Sequence, residues 1–130
     1  MITQIKTSSE NKERVTRLTY KFGLGAENVI ARIAIAYSLK NGQRFSPLEV
    51  KDSGGKEYSK NVLFGSLFPL YLAMICSYYN IKSTDKNLSR YIKMHLDDGL
   101  ELIDRDVKDN PNLVGFDYLF DKIEEGLKEL

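Results

Sequence analysis

The chain has a single cysteine, a single histidine, no long uninterrupted apolar run and almost no net charge. The lone Cys76 cannot form an internal disulfide, which excludes a disulfide scaffold and suits a reducing, cytoplasmic setting with a buried, inert thiol. The lone His95 leaves little material for a metal centre. The longest apolar stretch, Val62 to Cys76, is interrupted by Gly65, Ser66 and Pro69. It falls short of the roughly 20 residues that a bilayer span needs, so no membrane association is expected. The opening MITQIKTSSENKERV likewise lacks the apolar core of a signal peptide.

What remains is ordinary globular composition, 42% apolar and 28% charged over 130 residues, enough for one domain with one core. The charge is unevenly placed. Residues 1–96 carry 15 Lys and Arg against 7 Asp and Glu, while residues 97–130 carry 4 against 11, giving +8 and −7. A basic body followed by an acidic segment points to a charged partner, to subunits meeting basic against acidic, or to both. The alternative is a solvated surface whose charges are segregated by accident.

Periodicity predicts a mainly α protein, one short N-terminal strand followed by about five helices. Ile2 to Thr7 alternates as a strand. Thr7-Ser8-Ser9-Glu10 reads as a capping box opening a helix over Ser9 to Phe22, with Val15, Leu18 and Phe22 on one face and Arg14, Arg17 and Lys21 opposite. Ala26 to Lys40 is apolar almost all round and must be covered on most sides. Gln43 to Lys60 reads as mostly loop. A further apolar helix is expected from about Leu67 to Tyr79, capped by Ser66, with Pro69 in its first turn. Asp85 to Val107 is the longest helical candidate, and Phe116, Leu119, Phe120, Ile123, Leu127 and Leu130 mark a final amphipathic helix.

Several motifs invite chemistry and do not sustain it. Gly54-Gly55-Lys56 has Val50 and Glu57 where a phosphate-binding loop needs Gly and Ser or Thr. His95, Asp98 and Glu101 recur every three residues, but carboxylates drifting around a helix from one His converge poorly on a metal. Cys76 lies among Met74, Ile75, Ser77 and Tyr78, a poor setting for a thiolate. Phe64, Phe68, Tyr71, Tyr78 and Tyr79 could stack bases, yet at this spacing they read as core. No catalytic residue, metal or cofactor is therefore assigned. The long helix is odder. Lys86, Arg90 and Lys93 precede Asp97, Glu101 and Asp104 on what reads as one solvated face, an order that opposes the helix macrodipole. Partner binding would explain it, with phosphates at the basic half and a protein at the acidic half.

The N-terminal strand has no evident partner in the chain and is expected to pair with a second copy. Strand, helix, tight turn and apolar helix is the order of ribbon-helix-helix proteins. Leu24-Gly-Ala-Glu-Asn-Val-Ile-Ala-Arg-Ile-Ala followed by Tyr37-Ser-Leu closely resembles a motif of the DndE family of DNA phosphorothioation systems. Gly55-Lys-Glu-Tyr-Ser-Lys, Leu63-Phe-Gly and Met94-His-Leu-Asp-Asp-Gly-Leu-Glu-Leu-Ile resemble its later blocks, so the likeness spans most of residues 3–104.

The resemblance implies a ribbon-helix-helix-like, oligomeric, DNA-binding component of the machinery that replaces a non-bridging DNA phosphate oxygen with sulfur. Surface lysines would contact the DNA backbone, with little sequence specificity. On this reading Lys12, Arg14, Arg17 and Lys21 of the first helix form the expected contact, with Lys56 and Lys60 as a second group, and other phosphorothioation proteins are expected partners. Two alternatives stay open: a nickase or nuclease using carboxylates near His95, and a non-catalytic assembly factor. Glu27 departs from the motif's logic, since it would repel phosphate at a helix start. A homo-oligomer is also expected from the apolar second helix and from Gly99, which suggests close approach of another backbone. The acidic C-terminal helix, with Asp117, Asp121, Glu124 and Glu125, is expected either to dock a basic partner or to shield the chain's own basic body.

Overall fold

The computed structural model describes residues 4–110, so the expected final helix and its acids lie outside the described residues. The elements are β1 (Gln4–Lys6), α1 (Ser9–Lys21), α2 (Glu27–Asn41), β2 (Glu57–Ser59), α3 (Lys60–Phe64), α4 (Phe68–Tyr79) and α5 (Leu88–Asp109), with single 3-10 turns at Pro47–Glu49 and Gly65–Leu67. The fold is mainly α.

The centre is the pair α2 and α5. Ile30, Ala31, Ala34, Ile35, Ser38 and Leu39 form the buried face of α2, and Gly42, in the left-handed conformation at φ 83°, ends it. Gly99 meets Ala34 while His95 meets Ser38, so the two helices run antiparallel. The near-continuous apolarity of α2 is thus answered inside the chain, by α5 and α1 and by Leu63 and Phe64 of α3. That corrects the expectation that α2 requires a second copy. The same holds for Gly99: the close backbone is Ala34 of its own chain.

The N-terminal strand also finds its partner at home. β1 pairs antiparallel with β2, Ile5 opposite Tyr58, and both of these side chains are buried. The segment expected to be loop therefore contains a strand, preceded by a 3-10 turn with its own capping box from Ser46 to Glu49. Gly55 lets this ribbon close, since a Cβ there would fall 2.1 Å from the Ser8 carbonyl oxygen. Pairing of β1 with another chain is not needed to satisfy its backbone.

The start of α1 is capped differently from the expected box. Ser8 is the N-cap residue, but its hydroxyl makes no capping bond and is buried without a partner. Carboxylates from distant segments take over: the Ser8 N–H donates to Asp97 Oδ1 at 2.9 Å and the Ser9 N–H to Asp52 Oδ2 at 3.0 Å. The Ser9 and Gly54 N–H groups, both bonded to the Asp52 carboxylate, hold it below the usual carboxylate range. In α4 the N-cap is Leu67 rather than Ser66, while Pro69 does sit in the first turn. Helical structure runs from Lys60 to Tyr79, long and apolar enough by length and composition to cross a membrane, which corrects the expected shortfall. Gly65, at φ 53°, interrupts it. Cys76 in α4 is half-buried.

Candidate nucleic-acid interface

The six cations expected at the interface, four on α1 and a second group of Lys56 and Lys60, differ in their partners. Lys12 and Lys21 are exposed on α1 and make no ion pair among the described residues. Arg14 and Arg17 instead turn onto α5. Arg14 Nε reaches Asp104 Oδ2 at 2.8 Å and Arg17 Nη1 reaches Asp104 Oδ1 at 2.7 Å, so one buried carboxylate holds two guanidiniums. These hydrogen bonds, the one from Arg17 above all, hold Asp104 far below the usual carboxylate range, and bonding to Asp104 and then Glu13 raises Arg17. Lys56 pairs with Glu27 at 3.0 Å, and Lys60 lies 4.9 Å above the Phe68 ring. Glu27, unexpected at a helix start facing phosphate, is thus neutralised from β2's side and also accepts from the Thr16 hydroxyl at 2.9 Å.

The charged face of α5 is not the solvated face it resembles in the sequence. Lys93, Asp97 and Asp104 are all buried against α1 and β1. Lys93 Nζ donates to the carbonyls of Lys6 and Asp52, each at 2.8 Å, and to Asp97 Oδ2 at 3.0 Å. Asp97 in turn accepts from Ser8 N and, at 2.7 Å, from Asn11 Nδ2. The acids in the second half of α5 therefore run against the dipole because they receive α1, not because a partner waits outside. Arg90 in the first turn and Lys86, which lies ahead of the helix, differ: both are exposed and neither makes an ion pair among the described residues.

Arg90 lines an open cleft of about 380 Å³ together with Gln4, Lys6, Ser53, Ser89 and Lys93. Lys6, exposed and without an ion pair among the described residues, faces it from β1. In the sequence Lys6 is legible only as a charged residue in an alternating strand. Its juxtaposition with Arg90 depends on β1 lying across α5, which no local pattern encodes.

Around His95 the chain builds a buried polar wire. The Phe45 N–H donates to Tyr79 Oη at 3.2 Å, and Tyr79 Oη lies 2.5 Å from His95 Nε2. On the far side His95 Nδ1 lies 2.7 Å from Ser38 Oγ, which donates to Asp98 Oδ2 at 2.7 Å. With ionised Asp98 able only to accept, the direction of every bond follows: Ser38 donates to Asp98, His95 Nδ1–H to Ser38, and Tyr79 to His95 Nε2. Burial pushes His95 down to about 4 and Tyr79 up to about 12, so the ring is a neutral Nδ1–H tautomer with both nitrogens used internally. Asp98 is raised, first by burial. Its neighbour Glu101 pairs with Lys51. Among the described residues no three His, Cys, Asp or Glu side chains stand where they could hold a metal ion. Phe64 and Tyr71 are buried with ring centroids 5.0 Å apart, as expected for core aromatics.

Together these features define a small, mainly helical domain whose buried acids Asp97 and Asp104 are paired from within and which leaves several exposed cations without an ion pair among the described residues. A family model described as DNA sulphur modification protein DndE matches residues 4–110, and the chain belongs to the DndE family. Two crystal structures share the fold. One is DndE from Escherichia coli B7A, involved in DNA phosphorothioation modification, at 20% identity and a TM-score of 0.64. The other is a double glycine-to-lysine mutant of DndE, at 21% identity and the same TM-score. Each alignment covers 79% of this chain and 99% of the other. No curated protein sequence matches the chain.

Proposed function

We propose that this DndE family member is a cytoplasmic, non-catalytic, DNA-binding component of a phosphorothioation system, acting through the DNA backbone and alongside the system's other proteins. One observation carries the reading: Lys6, Lys12, Lys21, Lys82, Lys86 and Arg90 are all exposed without an ion pair among the described residues. Cations left free in this way can exchange bound counterions for phosphates, which is the sequence-independent part of DNA affinity. Contacts of this kind set affinity and register rather than sequence, so little sequence preference is expected.

The non-catalytic part is supported by His95. Its two ring nitrogens are committed to Ser38 and Tyr79, and a general base needs a free nitrogen within reach of substrate. Oligomer formation is supported by a different surface from those expected from sequence. Val62 of α3, Leu67 of the 3-10 turn and Leu70 of α4, 57%, 42% and 56% exposed, give this stretch of chain exposed apolar side chains that suit a second copy of the chain.

The test is DNA affinity against salt. Binding should weaken steeply with salt, and Lys12→Ala with Lys21→Ala should reduce the log–log slope by roughly 0.9 for each phosphate no longer neutralised. Salt-independent binding, or none, would leave the assembly-factor reading. Metal-dependent strand cleavage abolished by Asp98→Asn would establish the nuclease reading instead.

A further inference from the structure

The cleft between β1 and the start of α5 has features that the general basic surface lacks. Its walls come from three separate segments: Gln4 and Lys6 of β1, Ser53 of the connecting loop, and Ser89 and Arg90 of the first turn of α5. A single buried ammonium ties those walls together. Lys93 Nζ binds the Lys6 carbonyl, the Asp52 carbonyl and Asp97, which engages all three of its donors and fixes strand, loop and helix against one another. The cleft is therefore held in place before anything enters it, and preorganisation lowers the cost of binding.

Its electrostatics ask for an anion. Lys6 and Arg90 have no acidic partner among the described residues, and the nearest acid by strand register, Glu57 opposite Lys6, makes no ion pair with it. The first turn of α5 contains no acidic residue and its N-cap side chain makes no capping bond. Asp85, ahead of the helix, accepts from the Asn87 N–H at 2.8 Å, while Arg90 in the first turn is a cation near the positive end, against the dipole. The acids later in α5 are accounted for by α1. Lys6 and Arg90 make no ion pair among the described residues.

We propose that this cleft seats a phosphate group of the nucleic-acid backbone, held by the Lys6 ammonium and the Arg90 guanidinium, with the Ser53 and Ser89 hydroxyls as further donors. The proposal rests on the DNA-binding reading and gives it a place. Four donors from three directions match the oxygens of a tetrahedral phosphate better than the two of a planar carboxylate. A planar fork from Arg90 and a point charge from Lys6 supply complementary recognition.

The experiment uses the isotopically labelled full chain, followed by the backbone amide signals of Ser53, Ser89 and Arg90. One titration adds inorganic phosphate and another a short DNA duplex. Duplex affinity is measured in parallel across a salt series. Both ligands should shift the cleft amides. Lys6→Ala with Arg90→Ala should abolish those shifts and lower the log–log salt slope by about 0.9, the value for one neutralised phosphate. Arg90→Lys should restore part of the slope, and Glu57→Gln should tighten binding at low salt by removing the acid across from Lys6. Both cations are exposed and form no ion pair among the described residues, so the fold should survive these changes. Duplex binding with silent cleft amides and an unchanged slope in the double variant would overturn the seat while leaving DNA binding intact. Cleft shifts with phosphate but no duplex binding would establish an anion seat for a free phosphate compound and remove the DNA reading.

Discussion

Gly99 of α5 lies so close to Ala34 of α2 that a Cβ added to it would stand 1.8 Å from the Ala34 carbonyl oxygen and 2.7 Å from its Cα. The obstacle is backbone, so no side chain can swing aside. Within a helix, replacing Gly by Ala ordinarily gains about 0.5–1 kcal/mol. Here the sign reverses, because the two central helices must separate. Gly99→Ala should destabilise by about 1–3 kcal/mol or more, the scale of overpacking a dense core, measured by denaturant unfolding. A variant as stable as the parent would show that α2 and α5 tolerate wider spacing.

Asp104 should respond to both mutation and acid. Bonding to Arg17 and Arg14 holds its folded pKa far below the unfolded value, so the unfolded chain takes up the proton first. Its stabilisation is complete above the unfolded value of about 4 and diminishes as pH falls toward the folded one. Asp104→Asn should cost about 2 kcal/mol, the scale of hydrogen bonds between charged groups, and flatten the acid limb of a stability profile. It also removes one acidic partner from Arg14 and Arg17, leaving Glu13 on Arg17 and Glu10 and Glu101 near Arg14. Duplex binding by Asp104→Asn should then show a steeper salt slope, whereas Arg14→Ala and Arg17→Ala in the parent should lower stability more than affinity.

The helices are legible in the sequence because their signals are local and repeated. Val15, Leu18 and Phe22 mark α1 by spacing alone, and Asn41-Gly42 marks the end of α2. β2 is not legible, since a three-residue strand shows only one inward side chain, Tyr58, between two exposed ones. The charges of α5 mislead for a deeper reason. Lys93, Asp97 and Asp104 recur at solvated-face spacing, and their burial depends on Arg14, Asn11 and Ser8 arriving from about ninety residues away. For the same reason Arg14 and Arg17 look like free cations, and the meeting of Lys6 with Arg90 across a cleft is invisible. Free and paired charges carry the same letters.

His95 predicts a second pH dependence, in a separate window. Burial lowers its folded pKa to about 4, below the unfolded value of about 6.5. The unfolded chain therefore binds the extra proton between those values, and stability falls as pH drops from about 6.5 towards 4. His95→Gln removes a titrating group but keeps hydrogen-bonding capacity, so it should be less stable at neutral pH and nearly flat over that window. A parent profile with no slope between about pH 6.5 and 5, where few carboxylates titrate, would show that His95 accepts a proton in place.

The exposed apolar side chains between α3 and α4 make the remaining prediction, on assembly. With β1 paired in-chain and α2 covered by α5, the proposed interface between copies rests on Val62, Leu67 and Leu70. These side chains are already exposed, so Leu67→Gln with Leu70→Gln should leave the stability of a single copy within about 0.5 kcal/mol. Light scattering at micromolar concentration should show an oligomer for the parent and a monomer for the double variant. Assembly also multiplies the phosphates engaged, because each added copy brings its own Lys12, Lys21 and Arg90 to one duplex. The monomeric variant should accordingly show weaker affinity and a shallower salt slope without any change to a basic residue. An oligomer that survives the double substitution would place the interface elsewhere. Binding of the parent, but not the variant, to neutral lipid vesicles would instead assign these side chains to a membrane surface.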